Sequence, residues 1–255
     1  MQMVEEYLER ARAIIQASSK VVFLTGAGIS TSSGIPDFRG PNGMWTKNPA
    51  AEKMSDIRFY MNDPNVRKAA WRSRMVHPAW AAKPNAAHLA IAAFESTGKL
   101  YSIITQNIDN LHQSAGSAEK YILEVHGTIH KVVCMQCKKL TPMWEELERV
   151  KNGEEDPACF DCGGILKSAT ISFGQALDEE TINTALEVSG QCDLLICIGT
   201  TLQVYPIAGA VDIAHRAGAN IIIVNAEPTQ YDHVSNFVFR GDISQVVPAL
   251  LSNIH

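Results

Sequence analysis

Six short apolar runs, separated by helical patterns, constrain the fold of this chain more than any other feature of its sequence. Continuous apolar runs of this length are typical of strands that are buried on both faces of a parallel sheet. The runs comprise residues 21–24, 101–104, 121–125, 194–198, 221–224 and 237–239. Helical patterns occupy residues 4–15, 86–95, 178–189, 206–217 and 243–254. This alternation predicts an α/β fold with a Rossmann-like, doubly wound parallel sheet.

Two stretches interrupt the alternation of strands and helices. Residues 33–84 contain no convincing strand and carry helical fragments, whereas residues 128–167 carry four cysteines and one short helix at 143–150. We predict that these two insertions pack together as a smaller domain, and that residues 1–32, 85–127 and 168–255 form the Rossmann-like domain. A ligand cleft is then expected between the smaller domain and the carboxyl ends of the strands.

The four cysteines form two CxxC pairs, Cys134 with Cys137 and Cys159 with Cys162. Four thiolates at this spacing can close a tetrahedral site, so the second insertion is predicted to be a zinc-ribbon module with one structural zinc ion. A redox dithiol is the alternative. His130 is a further candidate ligand, but four cysteines already complete the tetrahedron. Cys192 and Cys197 accompany an apolar run and are expected to be buried.

The overall composition is that of an ordinary globular protein. The chain has 255 residues, of which 46% are hydrophobic and 19% are charged, and its net charge is −5. This charge gives no indication of electrostatic capture of nucleic acid or of an anionic membrane, so no partner of either kind is expected. No apolar run approaches 18 residues, and the acidic amino terminus is unlike a signal peptide, so a cytoplasmic protein is expected.

The first apolar run is followed by a segment that is suited to a nucleotide. The glycines of Gly26-Ala27-Gly28 permit a tight turn and a close approach of the backbone to a pyrophosphate. Thr31 stands where a GxGxxG pattern would have its third glycine. The residues that follow, among them Ser30, Asp37, Phe38 and Arg39, predict a loop that wraps a nucleotide; a solvated connecting loop is the alternative.

Polar residues also follow the other apolar runs, where the carboxyl ends of the strands are expected. Asn107 and Asp109 can hold a carboxamide, with helix capping as the alternative role. The histidine at position 126 follows the third run, where a functional imidazole is expected, whereas His88 and His112 are expected to make local hydrogen bonds. The remaining candidates for ribose, phosphate and adenine contacts are Gln106, Ile108, Gly199, Thr200, Thr201, Asn225, Ala226, Glu227, Asp242 and Ile243.

Taken together and in this order, the motifs resemble those of the sirtuin family, NAD-dependent protein-lysine deacylases, of the bacterial or archaeal type. The resemblance covers about residues 20–242. It rests on Gly26-Ala27-Gly28-Ile29-Ser30, Gly34-Ile35-Pro36-Asp37-Phe38-Arg39, Gln106-Asn107-Ile108-Asp109, His126-Gly127, the four cysteines, Phe173-Gly174, Gly199-Thr200-Thr201 and Asn225-Ala226-Glu227-Pro228.

The resemblance implies a reaction and a set of partners. The acyl-lysine carbonyl oxygen attacks the nicotinamide ribose, and the products are nicotinamide, O-acyl-ADP-ribose and free lysine. His126 is the implied general base, Asn107 joins it as a catalytic residue, and Phe38 and Arg39 cover the ribose. The implied partners are acylated-lysine proteins or peptides, which a monomer binds through Trp71, Arg74, Ile171, Phe173, Gly174 and Val204.

Two departures from the family pattern concern the substrate. Gln175 replaces a glutamate that often follows Phe-Gly, in a segment expected to pair with the substrate peptide. Trp71 and Arg74 stand near the place of a Tyr-x-x-Arg pair that marks removal of succinyl or malonyl groups, so an acidic acyl preference is an alternative to deacetylation. Mono-ADP-ribosyl transfer, NAD hydrolysis and a non-catalytic nucleotide-binding module also stay open.

Overall fold

A six-stranded parallel sheet forms the centre of the larger part of the molecule. The computed structural model describes residues 2–37, 43 and 51–255, so the candidates Phe38 and Arg39 lie outside the described residues. The strands of this sheet are β1 Val21–Thr25, β2 Leu100–Thr105, β3 Ile122–Glu124, β7 Leu194–Ile198, β8 Asn220–Val224 and β9 Phe237–Phe239. Their order across the sheet is β3-β2-β1-β7-β8-β9.

The strand order confirms the predicted doubly wound fold. All five pairings in this sheet are parallel, and the direction of winding reverses between β1 and β7. Every residue of β1 and of β7 is buried, because both faces of the central strands are covered. In such sheets the crevice at the reversal, outside the carboxyl ends of the strands, is where ligands bind.

Helices cover both faces of the sheet, and each face has its own apolar core. One core includes Phe23, Ile91 and Val247, and the other includes Leu24, Ala185 and Val211. Within the described residues no helix has the length and apolar character needed to cross a bilayer. The helices of this part are α1 Gln2–Ala17, α5 Ala86–Phe94, α6 Leu111–Ser114, α8 Glu179–Gln191, α9 Ala210–Arg216 and α10 Ile243–Leu251, and a 3-10 segment spans Ala27–Ser33.

The two insertions contact each other, as the sequence predicted. The Trp71 side chain is buried with Val132, Met143 and Leu166, and Arg67 pairs with Asp156 at 2.8 Å. The first insertion contains α2 Ala51–Met54, α3 Ile57–Asn62 and α4 Pro64–Met75. The second contains α7 Met143–Lys151 and three strands, β4 Gly127–Cys134, β5 Leu140–Pro142 and β6 Leu166–Thr170, which form an antiparallel sheet of order β5-β4-β6.

The structure differs from the sequence-based expectation in three elements. The second insertion carries three strands besides its helix, which the pattern missed because β5 and parts of β4 are exposed and lack a continuous apolar run. The predicted helix at 206–217 begins as a 3-10 turn and becomes α-helical only at Ala210, and the last helix ends at Leu251. Strand β6 crosses the predicted domain boundary at residue 167; the boundaries themselves stay a prediction.

Candidate active site

The polar groups that follow β1, β2 and β7 meet at one edge of the sheet. The Gln106 side chain, after β2, donates from Nε2 to Thr200 Oγ1, after β7, over 2.8 Å. The Asn107 amide donates to the carbonyl oxygen of Gly26, after β1, over 3.2 Å. Three of the six predicted strand ends are therefore joined by hydrogen bonds, since the carboxyl ends of parallel strands lie on the same edge.

Gly28 and Gly199 lie at this edge of the sheet, where two backbone segments come too close together for a Cβ atom. The Gly28 N–H donates to the Gly199 carbonyl oxygen over 2.9 Å. A Cβ atom on Gly28 would lie 2.7 Å from the Gly199 Cα, and one on Gly199 would lie 2.4 Å from the Ile29 nitrogen. Gly199 also has a φ of 61°, in the left-handed region that favours glycine. The turns after β1 and β7 therefore pack backbone against backbone.

Ser30, Asn107 and Asp109 form a buried hydrogen-bonded cluster. The Ser30 hydroxyl donates to Asp109 Oδ2 over 2.7 Å, and the Asn107 amide donates to Ser30 Oγ over 3.1 Å. The other carboxylate oxygen, Asp109 Oδ1, accepts from the Leu111 N–H over 3.0 Å at the start of α6. Asp109 therefore accepts the first N–H of α6 from the position before the N-cap, Asn110, and it also contacts Ser30 in the candidate site.

The His126 imidazole lies beside this cluster and its tautomer is defined. The distance from His126 Nδ1 to the Gln106 carbonyl oxygen is 3.0 Å. A carbonyl oxygen can only accept a hydrogen bond, so Nδ1 carries the proton and Nε2 keeps its lone pair. Burial lowers the pKa of His126, although the hydrogen bond to Gln106 opposes this shift. The neutral ring is therefore the main form at physiological pH, and it presents a base at Nε2.

His126 is held by the junction of the two sheets. Its carbonyl oxygen accepts from the Ile171 N–H over 2.8 Å, just beyond the end of β6. The next residue, Gly127, has a φ of 73°, and a Cβ there would lie 2.1 Å from the Ala169 carbonyl oxygen. Only glycine allows this close approach, which places Ile171 next to the imidazole-bearing residue.

The residues predicted at the ends of β8 and β9 are not joined to the cluster by any hydrogen bond that the described residues show. The Asn225 amide donates to the Glu227 carbonyl oxygen over 2.8 Å, and Ala226 and Glu227 are exposed. Asp242 caps α10 by accepting from the Ser244 N–H over 2.9 Å. Arg240, which the sequence analysis missed, donates to the Asn225 carbonyl oxygen over 2.9 Å. A lone arginine after an apolar run carries no signal that distinguishes it from a surface residue.

The segment predicted to bind a substrate peptide has one edge already paired. The Phe173 N–H donates to the Ser55 carbonyl oxygen over 2.7 Å, and the Ile57 N–H donates to the Phe173 carbonyl oxygen over 3.0 Å. The Phe173 side chain is 46% exposed, Gly174 is exposed, and Val204 is partly buried. The preceding residue, Ser172, is hydrogen-bonded to Gln175: its N–H donates to Gln175 Oε1 over 3.2 Å, and its carbonyl oxygen accepts from the Gln175 N–H over 3.0 Å.

The four predicted metal ligands come together. Their sulfur atoms all lie within 4.8 Å of one another, with Cys134 to Cys162 at 3.5 Å and Cys137 to Cys159 at 3.7 Å. A tetrahedron with Zn–S bonds of about 2.3 Å has edges of about 3.8 Å, so the sulfur cluster fits zinc. His130 instead lies 3.4 Å from the Asp109 carbonyl oxygen, and Cys192 and Cys197 are buried, as predicted.

A small cavity lies beside Trp71 and Arg74, and it contains a residue that the sequence analysis missed. Lys167 is 2% exposed. Its pKa is lowered to about 7, mainly because the side chain is buried and to a lesser extent because Arg74 is positively charged. Arg74 is partly buried, burial lowers its pKa, and it donates to Ser168 Oγ over 3.3 Å. The cavity of about 20 Å³ is also lined by Tyr60 and Ser172. Lys167 falls inside a run of small and apolar residues, so the sequence alone predicts only a snorkelling side chain.

A comparison with models of known protein families identifies the family of this chain. The model of the Sir2 family matches residues 26–206, which is more than half of the chain. The chain belongs to the Sir2 family. The resemblance seen in the sequence is therefore confirmed, and the matched range contains the cluster, His126 and the four cysteines.

Relatives and solved structures agree with this assignment along nearly the whole chain. The NAD-dependent protein deacetylase 2 of Streptomyces coelicolor is 46% identical over 234 residues, which cover 92% of this chain and 97% of that protein. A solved Sir2 structure with a p53 peptide and NAD+ is 33% identical, with a TM-score of 0.84 and coverage of 94% of this chain and 95% of that chain. Another, from work on the mechanism and regulation of Sir2 enzymes, is 38% identical, with a TM-score of 0.87 and 98% coverage of both chains.

Proposed function

We propose that this Sir2 protein is an NAD-dependent protein-lysine deacylase that acts mainly as a deacetylase. The observation that carries the proposal is the His126 imidazole, whose proton is held at Nδ1 by the Gln106 carbonyl oxygen beside the Ser30–Asn107–Asp109 cluster. A binding module has no need for a base fixed in one tautomer. The names of the relatives, which include NAD-dependent deacetylases and deacylases, support the same activity.

NAD, when bound, supplies an electrophilic ribose carbon to which the acyl oxygen of the substrate bonds as nicotinamide departs. The residues of this chain bind, orient and move protons around that exchange. His126 Nε2 is proposed to accept the proton of a ribose hydroxyl, so that the hydroxyl oxygen attacks the acyl carbon. A neutral imidazole suits this step, because its pKa lies below physiological pH and its lone pair is free.

The cluster beside His126 is proposed to hold the nicotinamide carboxamide. The Asn107 amide nitrogen is already used as a donor, which leaves its oxygen to accept a carboxamide N–H. Both Asp109 oxygens accept one hydrogen bond within the protein, and each keeps a further lone pair. The carboxylate and the amide can therefore both accept from the carboxamide, which orients the leaving group.

The remaining cofactor contacts are proposed from the positions of the strand ends and from the family resemblance. The 3-10 segment after β1 spans Ala27–Ser33, and the phosphates are expected beside it, although its Gly28 N–H is already bonded to the Gly199 carbonyl oxygen. Phe38 and Arg39 are proposed, from the resemblance alone, to cover the ribose. The other proposed contacts are Asp37, Gln106, Ile108, Gly199, Thr200, Thr201, Asn225, Ala226, Glu227, Asp242 and Ile243.

Acylated-lysine proteins are the proposed substrates. The Ile171 N–H is hydrogen-bonded to the His126 carbonyl oxygen, which supports a role for Ile171 beside the lysine side chain. Phe173, Gly174 and Val204 are proposed to contact the same side chain and the peptide backbone. Zinc is proposed to be structural, since the four thiolates leave no coordination position for a substrate. A monomeric, cytoplasmic protein without nucleic-acid or membrane partners stays a prediction from composition.

The direct test is His126→Ala with an acetyl-lysine peptide and NAD. General base catalysis typically contributes about 10²–10⁴-fold, so nicotinamide release should fall by at least about 10²-fold. His130→Ala is the matched control, because the His130 ring lies nearby but contacts Trp80 and the Asp109 carbonyl oxygen, not the Ser30–Asn107–Asp109 side chains. A His126→Ala variant with full activity would overturn the catalytic role. Mass spectrometry of the product separates deacylation from mono-ADP-ribosyl transfer, since only the latter adds ADP-ribose to the protein.

We propose as a second candidate that the acyl site also accepts an acid-terminated acyl group. Arg74 and Lys167 line one cavity, and no carboxylate within the described residues forms an ion pair with either of them. The Arg74 charge favours an anion, and a bound carboxylate would raise the pKa of Lys167 from about 7. The cavity of about 20 Å³ has room for about one water, so a carboxylate would have to enlarge it. The names of the relatives favour deacetylation as the principal activity.

The acyl preference is tested with acetyl-, succinyl- and longer-chain acyl-lysine peptides on one backbone. Arg74→Ala should lower kcat/KM for the succinyl peptide by about tenfold or more, which corresponds to loss of one charged hydrogen bond, and should leave the acetyl peptide nearly unchanged. Arg72→Ala is the control, because Arg72 is exposed on the same helix. Equal losses for both peptides would contradict a carboxylate site.

A further inference from the structure

Two buried imidazoles lie together behind the candidate site. His88 on α5 is 0% exposed and His112 on α6 is 1% exposed, and their ring centroids lie 5.1 Å apart. In the part of the chain that the structure describes, His88 Nε2 and His112 Nδ1 have no hydrogen-bond partner. A buried polar group without a partner costs about 1–3 kcal/mol, so two such atoms on neighbouring rings require a physical explanation.

The hydrogen bonds that the rings do make assign complementary roles to the two unpartnered nitrogens. The Asn85 backbone N–H donates to His88 Nδ1 over 3.4 Å, so the proton of the neutral His88 ring is on Nε2. His112 Nε2 lies 3.0 Å from Thr25 Oγ1, and a proton there leaves Nδ1 as an acceptor. Burial lowers the pKa of His88 to about 4 and that of His112 to about 3, so both rings are neutral at physiological pH. When His112 carries its proton on Nε2, the His88 ring offers a donor and the His112 ring offers an acceptor.

Among the residues that the structure describes, a third buried group without a partner lies next to the His112 backbone. Ser117 Oγ also has no partner within the described residues, and the Ser117 N–H donates to the His112 carbonyl oxygen over 3.1 Å. A buried water typically makes about three hydrogen bonds to groups of this kind. His88, His112 and Ser117 supply that number.

The pair connects three elements that carry the candidate site. On the His88 side, the Asn85 amide donates to the Ile29 carbonyl oxygen over 2.7 Å, within the 3-10 segment that contains Ser30. On the His112 side, the ring contacts Thr25, which is the last residue of β1. The Asp109 carboxylate accepts a hydrogen bond from the N–H of Leu111, the first residue of α6. A shift of α6 or of the 3-10 segment would therefore change the distance between Ser30 and Asp109.

We propose that His88 and His112 form an imidazole pair, bridged by one buried water, that positions Ser30 and Asp109 for the nicotinamide end of NAD. Both rings are buried, and their hydrogen bonds go to the Asn85 backbone and to Thr25, so they are positioning residues and not catalytic ones. The part of the proposal that concerns NAD rests on the proposed function, whereas the bridge between the rings does not.

The pair itself is tested by nitrogen-15 NMR of the histidine side chains in the intact, zinc-loaded protein. Both rings are expected to carry the proton on Nε2, to remain neutral between pH 6 and 8, and to show a slowly exchanging His88 Nε2–H. In His112→Phe this His88 signal should shift and exchange faster. A proton on Nδ1 of either ring, or titration near the ordinary pKa of about 6.5, would overturn the pair. This readout does not depend on any activity.

The positioning role is tested by steady-state kinetics with NAD and an acetyl-lysine peptide. His112→Phe removes one buried hydrogen bond, which we take as about 1.4 kcal/mol, or tenfold in affinity. The KM for NAD should therefore rise about tenfold, whereas the KM for the peptide should change less than about twofold. His112→Gln, whose amide supplies one donor and one acceptor, should recover most of the change. Binding of ADP-ribose, which lacks nicotinamide, should be the same in all three proteins.

The matched control is Ile91→Ala, one turn further along α5. Ile91 is fully buried and apolar, so its truncation should lower the urea midpoint of unfolding while leaving the polar groups of the pair in place. An equal rise in the KM for NAD in Ile91→Ala would show that the histidines act through stability alone and would overturn the proposal. If the wild-type protein does not turn over NAD, the proposed function fails, while the NMR result still decides whether the pair exists.

Discussion

The contact between Gly28 and Gly199 shows how single residues determine the geometry of this site. Both residues lack a Cβ, and their backbones approach closely enough for the Gly28 N–H to donate to the Gly199 carbonyl oxygen over 2.9 Å. Gly98, in contrast, has a similar positive φ of 71°, but no atom lies within 4 Å of the position that a Cβ would take there. Comparison of Gly98 with Gly199 therefore separates backbone strain from steric overlap.

Alanine at these two glycines should have different consequences. Gly98→Ala should lower the free energy of unfolding by about 1–2 kcal/mol, the cost of a left-handed conformation. Gly199→Ala adds overlap with the Ile29 nitrogen at 2.4 Å, so it should cost more and should also weaken NAD binding. Urea denaturation and calorimetric titration with NAD measure the two effects. Equal losses of stability with intact NAD binding would contradict the importance of the contact.

The buried histidines predict a dependence of stability on pH. The pKa of His88 is lowered to about 4 and that of His112 to about 3, mainly by burial, whereas both are about 6.5 in the unfolded chain. The unfolded state therefore binds more protons below pH 6.5, and each ring should lower stability by up to about 1.4 kcal/mol per pH unit from there down to its folded pKa. Urea midpoints at pH 7.5, 6.5 and 5.5 measure this slope. His112→Gln should reduce it, and an unchanged slope would contradict the burial of a neutral ring.

At the scale of elements, β4 joins the metal cluster to the candidate base. The strand begins at Gly127, directly after His126, and ends at Cys134, and it pairs with β5 and β6. The small sheet has few buried apolar residues of its own, so the predicted zinc ion should supply much of its stability. The metal thus affects His126 through the strand and not through coordination.

Removal of zinc should therefore unfold the small sheet first and abolish activity as a consequence. With a chelator, loss of deacylase activity should follow zinc release and loss of sheet signal in circular dichroism, with no faster phase of inhibition. Cys134→Ser should lose the metal, whereas Cys192→Ser, at a buried cysteine outside the cluster, should keep it. Immediate inhibition before zinc release would indicate a catalytic metal.

At the scale of the whole molecule, the reversal of winding between β1 and β7 creates the crevice. Gln106 and Thr200 reach across it from the two halves of the sheet, and the three-stranded sheet adjoins it where His126 and Ile171 flank β4 and β6. A ligand in this crevice contacts both halves. Its binding should therefore stabilise elements that are far apart in the sequence.

Hydrogen exchange should show this coupling. In the free protein the slowest amides should be in β1 and β7, which are fully buried, and the amides of β5 should exchange faster. NAD at about 100 times its Kd should add about 2.7 kcal/mol to the free energy of global unfolding, with local protection after β1, β2 and β7. Protection confined to one half of the sheet would contradict a site at the reversal.

The sequence by itself determined the parallel sheet, the metal ligands and the position of the candidate base. Strands that are buried on both faces need continuous apolar runs, and a metal site needs thiolates at a fixed spacing. Polar residues that follow such runs fall at one edge of the sheet. Each of these features depends on residues that are close in the sequence, so each can be predicted from it. The tertiary structure decided that Asp109 accepts both from the first N–H of α6 and from Ser30, that Lys167 is buried beside Arg74, and that His88 meets His112. These contacts join residues that are distant along the chain, and only packing sets their distances and pKa values.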